Sequence, residues 1–188
     1  MKSQFLRWAV LPLITVLIIG CIPSLNPVYT EADLVFDPAI VGTWAQGEKT
    51  KWEFSKLGEK KYRLVYTGRD GKQGVFVARL AQLDGARFLD LYPEKLDADQ
   101  SGFYNFHLVP IHTVYLVRGT EPGLQLASID YEWLKKHLDA NSDTIQFATF
   151  QNKRLITAPT NELQEFVVEH KDKFTGNFEL TRVPEDVN

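Results

Sequence analysis

The sequence predicts a mainly β domain: an antiparallel β-barrel or strongly curved sheet with one or two short helices, the later one packed on the barrel. Three observations point there. From Ile40 onward the chain breaks into short runs in which apolar and polar residues alternate, the period-two pattern of strands that are buried on one face. Turn-forming pairs, Asp70-Gly71 and Asp84-Gly85, separate some of those runs. Hydrophobic residues make up 44% of the chain and aromatic residues 12%, enough apolar volume to fill such a core.

The elements follow in order. Gly42-Thr43-Trp44 opens the first strand. Thr50–Ser55 places Trp52 and Phe54 on one face and Lys51 and Glu53 on the other. Tyr62, Leu64 and Tyr66 share a face of the next run. Gly74–Leu83 and Ala86–Tyr92, joined by Asp84-Gly85, form the strongest hairpin signal in the chain, because a two-residue turn of this type matches the twist of its strands. Closing that turn sets Leu83 opposite Ala86, Leu80 opposite Leu89 and Arg79 opposite Asp90. One face is then Phe76, Ala78, Leu80, Leu89 and Leu91, and this leucine face is expected to point inward. Arg79 and Asp90 fall on the other face, where an ordinary exposed ion pair is expected.

Phe103–His107 and Thr113–Arg118 read as further strands around Pro110, followed by Leu124–Ile129, Ile145–Phe150 and Arg154–Thr157. Asp130 is placed to cap a helix at Tyr131–Leu138. Asn161 and Gln164 have the spacing of a capping box for a helix running to about Lys171. Leu163, Phe166, Val167 and His170 make one stripe along it. Gly176 precedes a last strand to about Val183.

The N-terminus reads as an address. Lys2 and Arg7 form a positive start, the apolar run Ala9–Ile19 follows, and Gly20-Cys21 ends it, the order of a signal peptide. A spanning helix needs about 20 apolar residues, which this run does not reach. Ile18-Ile19-Gly20-Cys21 resembles the bacterial lipobox. That resemblance implies cleavage between Gly20 and Cys21 and lipidation of the Cys21 thiol, with two or three acyl chains anchoring the protein where one would not. It divides the chain into residues 1–20 as signal peptide, 21–39 as lipidated N-terminus and tether, and 40–188 as the β-barrel domain. Pro23, Pro27 and Pro38 favour an extended tether, whose later part is expected to pack on the domain. The expected location is the bacterial cell envelope, with the domain in the periplasm or at the surface. Ile22 is not the aspartate associated with inner-membrane retention, which leans toward the outer membrane.

Gly42-Thr43-Trp44 resembles the G-x-W signature of lipocalins and related barrels. In that family the glycine allows close backbone approach, the tryptophan plugs one barrel end, and a basic residue from the end of the barrel packs over it. Arg182 lies where such a residue could come from. The likeness covers those residues and the late helix-then-strand order, and no T-D-x-Y-like motif follows. The run Leu25–Trp44 is also similar to the start of bacterial lipoproteins that carry no assigned activity, and implies none here.

Charge and motifs narrow the function classes. The net charge is −3, and removing Lys2 and Arg7 with the leader makes the remainder more acidic, which disfavours nucleic-acid binding. Cys21 is the only cysteine, so the rest of the chain has neither a disulfide nor a thiolate. No G-x-S-x-G, P-loop or dinucleotide glycine motif occurs, so no enzyme activity and no cofactor are expected. The carboxylate pairs Asp97/Asp99 and Glu185/Asp186 read as solvated charge. His107 and His112 flank Pro110 but lack a third ligand, so no metal site is expected. His137 and His170 read as surface or half-buried helix residues. Trp52, Tyr62, Tyr66, Phe76 and Phe88 can either line a ligand cavity or fill a closed core. Two functions follow as expectations: a lipid-anchored protein binding a small apolar molecule, lipid or peptide in its barrel, or one that contacts another envelope protein through its outer surface. The membrane itself is the expected partner of Cys21.

Overall fold

The computed structural model describes residues 22–94, 101–150 and 153–184. Its centre is a closed eight-stranded antiparallel β-barrel, compatible with a lipocalin-like fold. In chain order the described strands are β1 (Ile22–Ser24), β2 (Leu34–Val35), β3 (Gly42–Gln46), β4 (Thr50–Lys56), β5 (Tyr62–Thr67), β6 (Gln73–Leu83), β7 (Ala86–Pro93), β8 (His112–Gly119), β9 (Leu124–Ser128), β10 (Phe147–Phe150), β11 (Lys153–Ile156) and β12 (Gly176–Arg182). The helices are α1 (Gly102–Phe106), α2 (Tyr131–Ala140) and α3 (Thr160–Glu169). The barrel runs β3 through β9 as a meander, then β12, which pairs with both β9 and β3, while β8 pairs with β9 to close the ring.

Two barrel strands share an edge between two partners. On one side β6 pairs with β5 over its first half and with β2 at Leu80 and Ala81. Opposite β7, β8 pairs with β1 at His112–Val114 and with β9 from Leu116 on, with a register shift between Val117 and Gly119. These forks let strands leave the barrel. β1, β11 and the β10–β11 hairpin extend the sheet sideways from β8.

The β6–β7 hairpin has the register expected of its turn, Leu83 opposite Ala86 and Arg79 opposite Asp90. Asp84 and Gly85 both take positive φ, 45° and 75°, the mirror-image turn that suits a twisted hairpin. Its leucine face points inward: Ala78, Leu80, Leu89 and Leu91 join Trp44, Phe54, Tyr62 and Leu64 in the barrel core. The opposite face is not solvated as expected. Ala81, Leu83 and Phe88, with Val114, Leu116 and Ala127, are covered by a second core built from Ile22, Val28, α2, α3 and Phe174. The chain therefore has two apolar layers separated by one wall of the barrel.

That second layer corrects the ion-pair expectation. Arg79 and Asp90 face each other in register, but Asp90 is only 1% exposed and accepts from Val28 N at 3.0 Å and from His112 Nδ1 at 2.6 Å. Arg79 bonds to the Tyr29 hydroxyl instead. A carboxylate this deep needs partners on both oxygens, and the N-terminal segment supplies one of them. The segment read as a tether lies against the barrel from Ile22 onward, which is fully buried opposite Val114.

Two local expectations change. Residues 103–107 lie in and just after the short helix α1, whose first turn is capped by the Ser101 hydroxyl accepting from Tyr104 N, and not in a strand. The helix at Asp130 forms as expected, with the aspartate accepting from Glu132 N and Trp133 N. The capping box of α3 does not form. Pro159 stands at its N-cap with no side-chain bond, and Gln164 reaches across to Val28 O and Asp33 Oδ2. The apolar stripe of α3 still packs as read, with Leu163, Phe166 and Val167 buried against the barrel's outer face.

Candidate functional site

The two ends of the barrel differ, and the difference defines the site. β4, β6, β8 and β12 all run toward one end, where Asp37–Val41 crosses beneath the barrel. There Asp37 caps a short 3-10 turn, Pro38–Ile40, by accepting from Ala39 N at 2.9 Å, and it also pairs with Arg87 at 2.6 Å. Tyr62 clamps the same residue, accepting from Asp37 N and donating to Asp37 O. Burial pushes the Tyr62 hydroxyl up to about 12, so it stays protonated and able to donate.

Trp44 seals this end. It is fully buried, and its indole Nε1 donates to Ile40 O at 2.9 Å. The Arg182 guanidinium lies 4.2 Å from the Trp44 ring centre and donates to Val41 O and Ala39 O at 3.0 and 2.7 Å. Gly42 makes room for it. A Cβ there would lie 2.5 Å from Arg182 Nη1, and the backbone φ of +133° is one that favours glycine.

The opposite end holds a cavity of about 230 Å³ lined by Trp52, Leu64, Tyr66, Phe76, Leu91, Thr113, Tyr115 and Phe178. It is bounded by register: Trp52 lies opposite Tyr66, Leu64 opposite Phe76 and Leu91 opposite Thr113. The rings meet edge to face, Trp52 with Tyr66 at 5.2 Å, Trp52 with Tyr115 at 6.1 Å and Tyr115 with Phe178 at 6.1 Å between centres. None of the lining side chains carries a charge; their polar groups are the hydroxyls of Tyr66, Thr113 and Tyr115 and the Trp52 indole N–H, which donates to Gln46 Oε1 at 3.3 Å. Such walls hold apolar matter by area burial and give orientation through a few hydroxyls. They offer nothing to neutralise a phosphate or a carboxylate.

Of the aromatics singled out in the sequence, Trp52, Tyr66 and Phe76 line this cavity. Tyr62 lies in the core near the sealed end, stacked on Phe36 at 4.8 Å. Phe88 lies outside the barrel against Phe174, with 5.7 Å between ring centres. Sequence reading missed Leu64, Leu91, Thr113, Tyr115 and Phe178 as lining residues. Carrying the inward parity of Leu89 across β8 and β9 to β12 would have marked Tyr115 and Phe178, but that requires the closed pairing order.

The histidines divide. His107 Nδ1 donates to Phe103 O at 2.7 Å on the exposed loop, while His112 is buried, paired with Asp90 and packed against Tyr92 with ring centres 4.5 Å apart. His137 and His170 are half-buried where α2 meets α3, 4.9 Å apart and packed with Trp133 and Phe166. Among the described residues neither Nε2 of that pair has a hydrogen-bond partner. Burial holds His170 below the ordinary imidazole range, and the nearby His137 pushes it in the same direction. Among the described residues no group of three or more His, Cys, Asp or Glu side chains converges.

Gly20, Cys21, Asp97, Asp99, Glu185 and Asp186 lie outside the described residues. No helix among those described is long and apolar enough to cross a membrane. The chain matches no protein-family model, no curated protein and no solved structure.

Proposed function

We propose that this domain is a lipid-anchored envelope protein that binds a small apolar molecule in the open end of its barrel. The observation that carries the reading is the uncharged aromatic cavity opposite the Trp44 seal. Its volume sets the ligand class. An engineered apolar cavity of about 150 Å³ takes up benzene, and drug-sized ligands occupy about 300–1,000 Å³. At about 230 Å³ the site suits a substituted ring or the end of an acyl chain, not a whole lipid enclosed in the barrel.

The anchor part of the proposal rests on the leader and the Ile18–Cys21 motif. The β-barrel resembles lipocalins in the way Arg182 and Gly42 frame Trp44. That likeness supports the architecture, and the ligand follows from the cavity alone.

An alternative is an accessory lipoprotein that contacts another envelope protein and carries no ligand. One observation favours it: Phe103 and Phe106 stand 80% and 83% exposed on the β7–β8 connection.

Native mass spectrometry of the mature protein purified from cells tests both parts. The proposal expects an acyl mass on Cys21 and a co-purified small molecule that leaves on mild activation. A mature chain beginning elsewhere, or one with no acyl mass, removes the anchor. A chain that never carries or takes up an apolar molecule removes the ligand.

A further inference from the structure

Five of the eight side chains that line the cavity are aromatic: Trp52, Tyr66, Phe76, Tyr115 and Phe178. Each comes from a different strand, β4, β5, β6, β8 and β12 in turn, so the rings surround the void instead of covering one wall. Successive rings are turned nearly at right angles. Tyr66 meets Trp52 at 81°, Trp52 meets Tyr115 at 84° and Tyr115 meets Phe178 at 78°. Phe76 leans back along its own strand. Its Cε2 lies 3.0 Å from where a Cβ on Gly74 would stand, two places earlier on the same face and opposite Tyr66. The missing side chain at Gly74 gives that ring room to lie against the wall.

We propose that these rings form a cage for a quaternary ammonium cation with a neutral arm, of the kind that choline represents. The proposal rests on the ligand-binding reading above: it keeps that cavity and its apolar contact surface and adds a charge to the occupant. The walls select by what they lack. No lining side chain is cationic, so a carboxylate or a phosphate finds no partner there. No lining side chain is anionic either, and a primary ammonium would bring three N–H donors stripped of water.

A quaternary nitrogen has no N–H to satisfy. Its charge is spread over methyl groups that present an apolar surface, and the negative faces of aromatic rings attract that charge where water is excluded. Leucines alone would hold a neutral guest; rings from five directions add an attraction for a cation. A cavity of about 230 Å³ has room for a trimethylammonium head with a short arm. The net charge of −3 favours the approach of a cation over that of an anion.

Calorimetric titration of the full chain with choline tests this, beside dimethylbutanol, the neutral alcohol in which carbon replaces the ammonium nitrogen of choline. The proposal expects saturable one-to-one binding of choline, at least about tenfold tighter than that of the alcohol. Glycine betaine and glycerophosphocholine, the second standing for a lipid headgroup, are expected to bind at least about tenfold more weakly than choline. Either one binding as tightly as choline overturns the restriction to a neutral arm. Equal or tighter binding of the alcohol overturns the cage and leaves the ligand-binding reading standing with a neutral occupant. If neither choline nor the alcohol binds, the cage is overturned, and uptake of a neutral fluorescent probe decides whether the ligand-binding reading falls with it. Phe178→Leu keeps an apolar side chain and removes one ring. It is expected to weaken choline at least about fivefold and to leave the alcohol within about twofold. Tyr66→Leu repeats the comparison on another strand. An equal loss for both ligands in the folded variants would show that the rings act only as apolar filling, which contradicts the proposal.

Discussion

The Arg182 guanidinium sits 4.2 Å above the Trp44 ring and donates to two carbonyls of the turn beneath it, Ala39 O within the turn and Val41 O at its end. One side chain from the last strand thereby fastens the first strand, the seal of the barrel and the segment crossing its base. Trp44→Ala is expected to cost about 3–5 kcal/mol, the usual range for removing a buried large aromatic. Arg182→Ala, whose side chain is largely exposed, is expected to cost about 1–2 kcal/mol from the lost ring contact and carbonyl bonds. Urea unfolding measures both. A loss under about 1 kcal/mol for Trp44→Ala would show that the indole does not close the barrel.

Gly42→Ala should destabilise for two reasons at once: a φ of +133° that an L side chain resists, and a Cβ 2.5 Å from Arg182 Nη1. Combining it with Arg182→Ala separates them. The double variant is expected to lose less than the sum of the singles, because removing the guanidinium removes the clash. Strict additivity would mean that backbone strain accounts for the whole Gly42 effect.

Asp90 ties the N-terminal segment to the barrel wall. Asp90→Ala leaves Val28 N and the His112 ring without their buried partner, so a loss of about 3–5 kcal/mol is expected. The finer readout is hydrogen exchange at Val28, which should accelerate more than exchange at the core strands β4 and β5. Unchanged protection at Val28 would show that the segment is held by its apolar contacts alone.

Stability should fall in mild acid through His170. Burial lowers its folded pKa, so the neutral ring is favoured in the native state and the unfolded chain takes up the proton first. The contribution is fully present above the unfolded value of 6.5 and is lost as pH falls below it toward the folded value. Glu169 and Asp172 oppose the shift, while His137 and Lys173 reinforce it. His170→Phe keeps a ring in the cluster with Trp133 and Phe166 and removes the titration. Its melting temperature should therefore drop less than that of the unsubstituted chain between about pH 7.5 and 5.5. Parallel curves for the two proteins would contradict this.

What the sequence made legible follows from what is local. The β6–β7 hairpin could be registered residue by residue because Asp84-Gly85 dictates the turn and the alternation dictates the face. The seal was anticipated from a resemblance, that of Gly42-Thr43-Trp44 to the lipocalin G-x-W signature, which also implied a basic residue such as Arg182 over the ring. The strands β1 and β2 were hidden because they are too short for any alternation and stand among prolines. Phe103–His107 looked like a strand on aromatic content, but a capping serine and the lack of a partner strand make it a helical turn. The burial of Asp90 was unreadable because it depends on a second layer laid over the barrel by residues far away in sequence, Val28 among them. The cavity depends on the closed order of strands, which no single stretch of sequence encodes.

The most direct test of the central claim is a titration of the protein with a small apolar fluorescent probe, the unsubstituted chain beside Thr113→Trp. Thr113 is half-buried at the cavity wall, and an indole there fills much of the void without displacing a core side chain. The account predicts saturable one-to-one binding to the unsubstituted chain, at least about tenfold weaker in a folded Thr113→Trp. Equal binding by both folded proteins, or none by either, would contradict it.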